Sequence, residues 1–280
     1  MKKAVKKLII NLAPTGIIPT KEMTEYVPIT PEEIARDVCA CQKWGVSMVH
    51  LHARDAAGKP TYQKEVYARI IAQVREKCPD LILIVSTSGR VFNEFEKRAE
   101  VLELSGDEKP QMASLTLSSL NFVTSASVNQ PDIIMRLAAK MREKGIKPEL
   151  EVFDLGMVNY THYLIKKDIL SPPYYFNILL GNIASAQARL THLGLMTSEL
   201  PPKSYWSAGG IGDSQKWMTS VGVTAADGVR IGLEDQIWWN EARTRKATNE
   251  DLVKRIHNLA QVLERPLATP QEVRALLGLS

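Results

Sequence analysis

Short apolar runs alternate with longer amphipathic ones from residue 8 to about residue 264. The short runs predict strands at 8–14, 48–53, 81–87, 111–117, 149–153, 175–180, 205–208 and 228–233. Between and after them, helical periodicity predicts helices near 31–44, 63–77, 93–104, 131–144, 156–168, 184–195, 213–221 and 249–264. The first helix is marked at its start by Thr30, Pro31 and Glu33, an N-cap threonine, a proline at N1 and a glutamate at N3. Gly45 marks its end. The same device at Thr269, Pro270 and Glu272 opens a short terminal helix. Eight strand–helix units in succession predict a (β/α)8 barrel, a single TIM-barrel domain over residues 1–280 with a short C-terminal helical extension. A doubly wound open sheet is the rival, but no G-x-G-x-x-G follows the first strand. The run Gly209, Gly210, Ile211, Gly212 comes far too late to be that fingerprint.

Successive strand side chains leave opposite faces, so polar residues recurring at every second position share a side. His50 and His52 do this in the second predicted strand, about 6.6 Å apart by the strand rise, close enough to share one metal ion. The plainer alternative is a pair of hydrogen-bonded core histidines. In the last predicted strand Val229, Ile231 and Leu233 set the helix-facing parity, which leaves Arg230 and Glu234 facing inward. Glu149 and Glu151 share the inner parity of the fifth strand, Ser114 and Thr116 that of the fourth. Ser86 and Ser88 follow in the third, Asn11 and Thr15 in the first. A barrel filled only for stability uses branched aliphatics, and buried charges require partners or a ligand. A self-satisfied ion-pair network is the structural alternative. Strands two and eight both flank strand one in a closed barrel, so His50, His52 and Glu234 can meet. Two histidines and a glutamate with open positions suit a catalytic Zn2+, with Mn2+, Fe2+ or Co2+ as substitutes. Asp235 stands beside Glu234 and within reach of Arg230.

Composition narrows the function classes. The net charge of +4 is modest and no block of lysines and arginines is interleaved with aromatics, which disfavours nucleic acid as a partner. The basic lead-in at residues 1–7 lacks the apolar region of a signal peptide, and no apolar run approaches the ~20 residues that span a bilayer. Cys39, Cys41 and Cys78 are an odd number without zinc-finger spacing and read as small core residues in a reducing, cytoplasmic setting. His162, His192 and His257 fall in helical patterns, away from any ligand set.

Several segments together carry a family likeness. They are Thr15-Gly16, the helix entry at residues 28–33, the stretch from His50 to Asp55, and Ser86 to Gly89. Residues 148–154, Gly209 to Gly212 and Gly228 to Asp235 complete the set. In this order, from about residue 8 to Pro270, they resemble the β-keto acid cleavage enzymes. The resemblance implies a TIM barrel holding zinc through His50, His52 and Glu234. It implies an acyltransferase that converts a β-keto acid and acetyl-CoA into acetoacetate and a new acyl-CoA by Claisen-type condensation and retro-Claisen cleavage. It assigns Arg230, Asp235 and Glu151 to activation, and Ser86 and Ser114 to substrate contact; Thr116, on the inner parity of the fourth strand, is a further substrate-contact candidate. Gly181 is what remains of a glycine-rich loop expected to contact the CoA thioester. Where the family's type member has a glutamate for a substrate ammonium, this chain has Ile18. An apolar residue does not compensate a buried cation, so the expected substrate is neutral and alkyl-like, such as 3-oxopentanoate or 3-oxohexanoate. The family's assembly habit implies a homotetramer. The alternatives are a metal-dependent aldolase or hydrolase on the same barrel, or a non-catalytic ligand-binding barrel.

Overall fold

The computed structural model describes residues 6–279. Residues 1–5 of the basic lead-in, and Ser280, lie outside the described residues. Eight parallel strands close into a barrel: β1 (Ile9–Leu12), β2 (Met48–Leu51), β3 (Ile82–Val85), β4 (Met112–Thr116), β7 (Lys147–Val152), β8 (Tyr174–Leu180), β9 (Ser204–Gly210) and β10 (Gly228–Ile231). The numbering gap holds a two-stranded hairpin above β4, made of β5 (Leu120–Asn121) and β6 (Ala126–Ser127). Asn11 pairs in register with Met48 on one side and with Arg230 on the other, which is where first and last strands close the ring. The connecting helices are α1 (Pro31–Gln42), α2 (Lys64–Lys77), α3 (Phe95–Ala99), α4 (Pro131–Lys144), α5 (Leu155–Lys166), α6 (Leu190–Ser198), α7 (Ser214–Ala225) and α8 (Asn249–Val262). A further helix, α9 (Pro270–Leu277), follows. This is the (β/α)8 barrel that the alternation predicts.

The caps read from sequence form. Thr30 Oγ1 accepts from the Glu33 amide at 3.2 Å while Glu33 Oε2 accepts from the Thr30 amide at 3.2 Å. Thr269 and Glu272 repeat this at α9. Two expected helices differ. The segment 93–104 is helical only over α3 and then tightens into a 3-10 turn at Glu100–Glu103. The helix expected at 184–195 starts at Leu190, because β-strand ends capture the preceding backbone: Ala186 donates to Phe153 O, and Gly181 donates to Ala186 O.

The inner face is graded along the barrel axis. Its lower part is apolar: Ile9, Met48, Ile82, Ile84, Met112 and Tyr175 pack with Ala268, Val273 and Leu277, so α9 closes the N-terminal mouth. Two residues further along β1, β2, β4 and β8, about 6.6 Å higher, the inward positions turn polar. Ile9 gives way to Asn11, Met48 to His50, Met112 to Ser114 and Tyr175 to Asn177, all of them buried. The apolar floor supplies stability; the polar tier above it supplies chemistry.

One expectation about the cysteines is corrected. Cys39, on α1, and Cys78, after α2, form a disulfide with Cα atoms 6.0 Å apart, while Cys41 is buried and free. Thirty-nine residues of separation gave no sequence sign of this pairing. It follows from α1 and α2 packing side by side.

Candidate active site

His50 sits at the inner face of β2 with 1% of its surface exposed. Its Nδ1 lies 2.6 Å from Glu149 Oε2, a contact that puts the ring proton on Nδ1 and leaves the Nε2 lone pair free. His50 Nε2 is 3.2 Å from His52 Nε2, and His52 Nε2 is 3.2 Å from Glu234 Oε1. Two nitrogens bound at about 2.0–2.1 Å to a tetrahedral ion stand about 3.3–3.4 Å apart, so these spacings match those of ligands converging on one centre. Glu234 Oε2 is buried and has no hydrogen-bond partner among the described residues. A self-satisfied network would not strand a carboxylate oxygen there. His50, Glu149 and Glu151 form a second close group, but its lone pairs are already used: Glu149 Oε1 accepts from Asn11 and Asn177, and Glu151 from Arg230 and Thr116. The ring of His50, His52 and Glu234 is therefore the set that fits a divalent cation.

Glu149 anchors this arrangement from below. Its amide partners reach it at 2.7 Å from Asn11 and 2.6 Å from Asn177. Burial pushes its pKa up, but His50, Arg230 and Asn11 outweigh that and hold it below the ordinary carboxylate range. In return, Glu149 and Glu234 overcome the burial of His50 and raise its pKa. Burial lowers that of His52, and the charges of His50 and Arg230 add to the effect. The neutral form that a metal ligand requires is thus favoured at His52.

Arg230, 2% exposed, is the hub beside the ring. Its Nε donates to Asp235 Oδ2 at 3.2 Å, Nη1 to Glu151 Oε1 at 3.0 Å and Nη2 to Glu234 Oε1 at 2.7 Å. Desolvation opposes the guanidinium charge, yet the surrounding carboxylates keep its pKa well above the ordinary value. Burial raises the pKa of Asp235 to about 6, with Glu234 adding to the rise and Arg230 resisting it. Gly212 donates its amide to the Asp235 carbonyl at 2.8 Å and fixes the turn after β10.

Above these groups lies a cavity of about 310 Å3. Its walls include His50, His52, Glu234, Arg230, Asp235, Glu151, Thr116, Ser86 and Ile18. Two residues expected there lie elsewhere. Ser114 is one tier lower, where its Oγ accepts from the Thr87 amide at 3.1 Å, so Thr116 is the hydroxyl that faces the cavity. Gly181 turns its Cα toward α7: a Cβ there would stand 2.1 Å from Ser214 Oγ, and its φ of +89° is left-handed. That glycine serves close packing of β8 on α7 and does not line the cavity. The remaining histidines sit away from the site, His162 against Glu199 O and His192 against the Gln187 amide.

Sequence reading missed several participants. Asn177 was legible as an amide inside an apolar strand but carried no motif. Tyr175 holds Ser207 at 2.7 Å beneath the site. Arg54 donates to Gly16 O at 2.7 and 2.9 Å and to Pro19 O at 3.1 Å, clamping the loop that carries Ile17 and Ile18. Arg90, on the loop after β3, reaches the cavity wall from the side of the hairpin.

Residues 7–279 match the family model described as beta-keto acid cleavage enzyme. The chain is 38% identical over 276 residues to the 3-keto-5-aminohexanoate cleavage enzyme of Fusobacterium nucleatum, covering 98% of this chain and 99% of that one. It is 32% identical to the 3-oxoadipate:acetyl-CoA acetyltransferase of Cupriavidus necator, over 97% and 94% of the two chains. Among solved structures, ObcA superposes with a TM-score of 0.78 at 22% identity, covering 91% of this chain and 66% of ObcA. That last likeness concerns the fold alone.

Proposed function

Because this chain belongs to the β-keto acid cleavage enzyme family, we propose that it transfers an acyl group from a β-keto acid to CoA, using acetyl-CoA and releasing acetoacetate. Relatives are named for this chemistry on different keto acids, including 3-keto-5-aminohexanoate and 3-oxoadipate. The observation that carries the reading is the convergence of the His50, His52 and Glu234 ligand ring with the Arg230 hub on one cavity.

His50, His52 and Glu234 would hold the cation, and Zn2+ suits two imidazoles and a carboxylate. When bound, such an ion acts as a Lewis acid toward the keto oxygen of the substrate. The chain's own residues then have defined tasks. Removal of a C2 proton falls to the trio Asp235, Arg230 and Glu151. Arg230 stays charged, since three carboxylates surround it, so its part is to hold Asp235 and Glu151 and to offset developing negative charge. Asp235 is the proton acceptor of the trio. The C2 carbanion attacks the acetyl carbonyl and CoA thiolate departs; the thiolate then attacks the original keto carbon. Breaking the C2–C3 bond releases acetoacetate as its enolate, which takes back a proton, and the acyl-CoA remains. Ser86 and Thr116 line the cavity as hydroxyl donors for substrate oxygens.

Ile17 and Ile18 line the same cavity, and its carboxylates, Glu151, Glu234 and Asp235, are all engaged by Arg230. A positively charged substrate tail would find no partner, so we assign a tail without an ammonium group. A homotetramer completes the proposal, and sizing with light scattering tests it.

The deciding assay pairs a panel of β-keto acids with and without acetyl-CoA. Acetoacetate formation that requires the thioester supports the transferase; turnover without it indicates an aldolase or hydrolase; no product indicates a binding barrel. Elemental analysis of the purified protein names the metal.

A further inference from the structure

Arg90 is the unspent charge of the cavity. Its Nε donates to Ser125 Oγ at 3.0 Å, and its guanidinium lies 4.0 Å from the Phe122 ring centroid, so the side chain is pinned between the loop after β3 and the tip of the β5–β6 hairpin. Nη1 and Nη2 make no hydrogen bond, and no carboxylate pairs with it among the described residues. Arg230 contrasts with it on the same wall, since three carboxylates surround that guanidinium. Stacking on an aromatic face leaves the edge of a guanidinium free, and the fork of donors on that edge matches a carboxylate. Ile17, Ile18 and Val123 line the same cavity and offer apolar surface to the intervening part of a ligand.

We propose that Arg90 receives a terminal carboxylate on the substrate tail, making a β-keto acid with a second, distal carboxyl group the preferred substrate class. This rests on the reaction assigned above and goes beyond it: Ile18 excludes an ammonium, and Arg90 separates the two tails that remain, neutral and anionic. An isosteric methyl-terminated tail would leave the guanidinium desolvated by the bound ligand and unpaired, which costs affinity.

The test compares 3-oxohexanedioate with 3-oxohexanoate, both with acetyl-CoA, in the wild-type enzyme, Arg90→Gln and Arg90→Lys. The expected wild-type kcat/KM ratio favours the dioate by at least tenfold. Arg90→Gln brings that ratio down at least tenfold, and Arg90→Lys, which keeps the charge but loses the fork of donors, gives a ratio between the two. A latch holding only the hairpin would depress both substrates together and leave the ratio unchanged, overturning the proposal. A wild-type preference for 3-oxohexanoate overturns it as well. So does a rise in the acetyl-CoA KM with both keto acids, which would identify the anion as a phosphate of the thioester. If neither keto acid yields acetoacetate, the assigned reaction fails instead. Calorimetric affinities of the two acids for wild type and Arg90→Gln then decide the role of Arg90 on their own.

Discussion

Gly16 and Glu234 share one space: a Cβ built on Gly16 would lie 2.5 Å from Cγ of Glu234. Gly16 also holds φ at +65°, a left-handed conformation that costs other residues about 1 kcal/mol or more. Arg54 ties the Gly16 carbonyl down, so the loop has little room to retreat. Gly16→Ala is therefore expected to push Glu234 off the ligand ring. Competition with a chromophoric chelator should show metal affinity falling at least tenfold, with far-ultraviolet circular dichroism unchanged. Unaltered affinity would mean the ring does not need Glu234 where it stands.

Glu149 sets the tautomer of His50 without entering the cavity. Replacing such a carboxylate partner of a metal-binding histidine costs about 10–100-fold in metal affinity, and Glu149→Gln should fall in that range. The neighbouring Asn11 and Asn177 amides both donate to the carboxylate, so the substituted amide also meets a clash of donors. Retention of full metal affinity in Glu149→Gln would refute this account.

Asp235→Asn separates proton transfer from metal binding. Its side chain bonds Arg230 and belongs to neither histidine contact. The expected result is normal metal content with kcat reduced by about 10^2-fold or more. Unchanged turnover would remove Asp235 from the mechanism.

Asp37, on α1, offers a pH test of the scaffold. Burial raises its pKa from 3.8 to about 6, against the hydrogen bond donated by Asn249 at 2.6 Å. The folded state therefore binds the proton more tightly than the unfolded state. Its contribution to stability is present below pH 4 and is lost as pH rises to about 6, a change on the order of 2–3 kcal/mol. Urea titrations should show the difference between Asp37→Asn and wild type growing in the variant's favour from pH 4 to 6, then levelling. A pH-independent difference would contradict the assignment.

The strands were legible because a two-residue period divides inside from outside wherever one face is apolar, as at Val49, His50, Leu51 and His52. The same period put Glu149, Glu151 and Arg230 on the inner face. It does not report height along the axis, which is why Ser114 and Thr116 read alike although one packs on Thr87 and the other faces the cavity. Nor does it show what a neighbouring strand places alongside. The bond from Asn177 to Glu149 depends on the register between β7 and β8, and the Arg90 position depends on the hairpin that rises after β4. The start of α6 was displaced by tertiary backbone bonds that local periodicity cannot contain.

The floor formed by Val273 and Leu277 closes the N-terminal mouth, so the chamber is entered from the opposite end of the barrel. Keto acid, thioester and both products must share that threshold, so traffic is expected to be ordered, the small acid entering ahead of the bulkier CoA ester. Product-inhibition patterns would reveal it: acetoacetate, leaving last, competing with the keto acid, and acyl-CoA giving mixed inhibition against acetyl-CoA. A vessel sealed at its base imposes a queue.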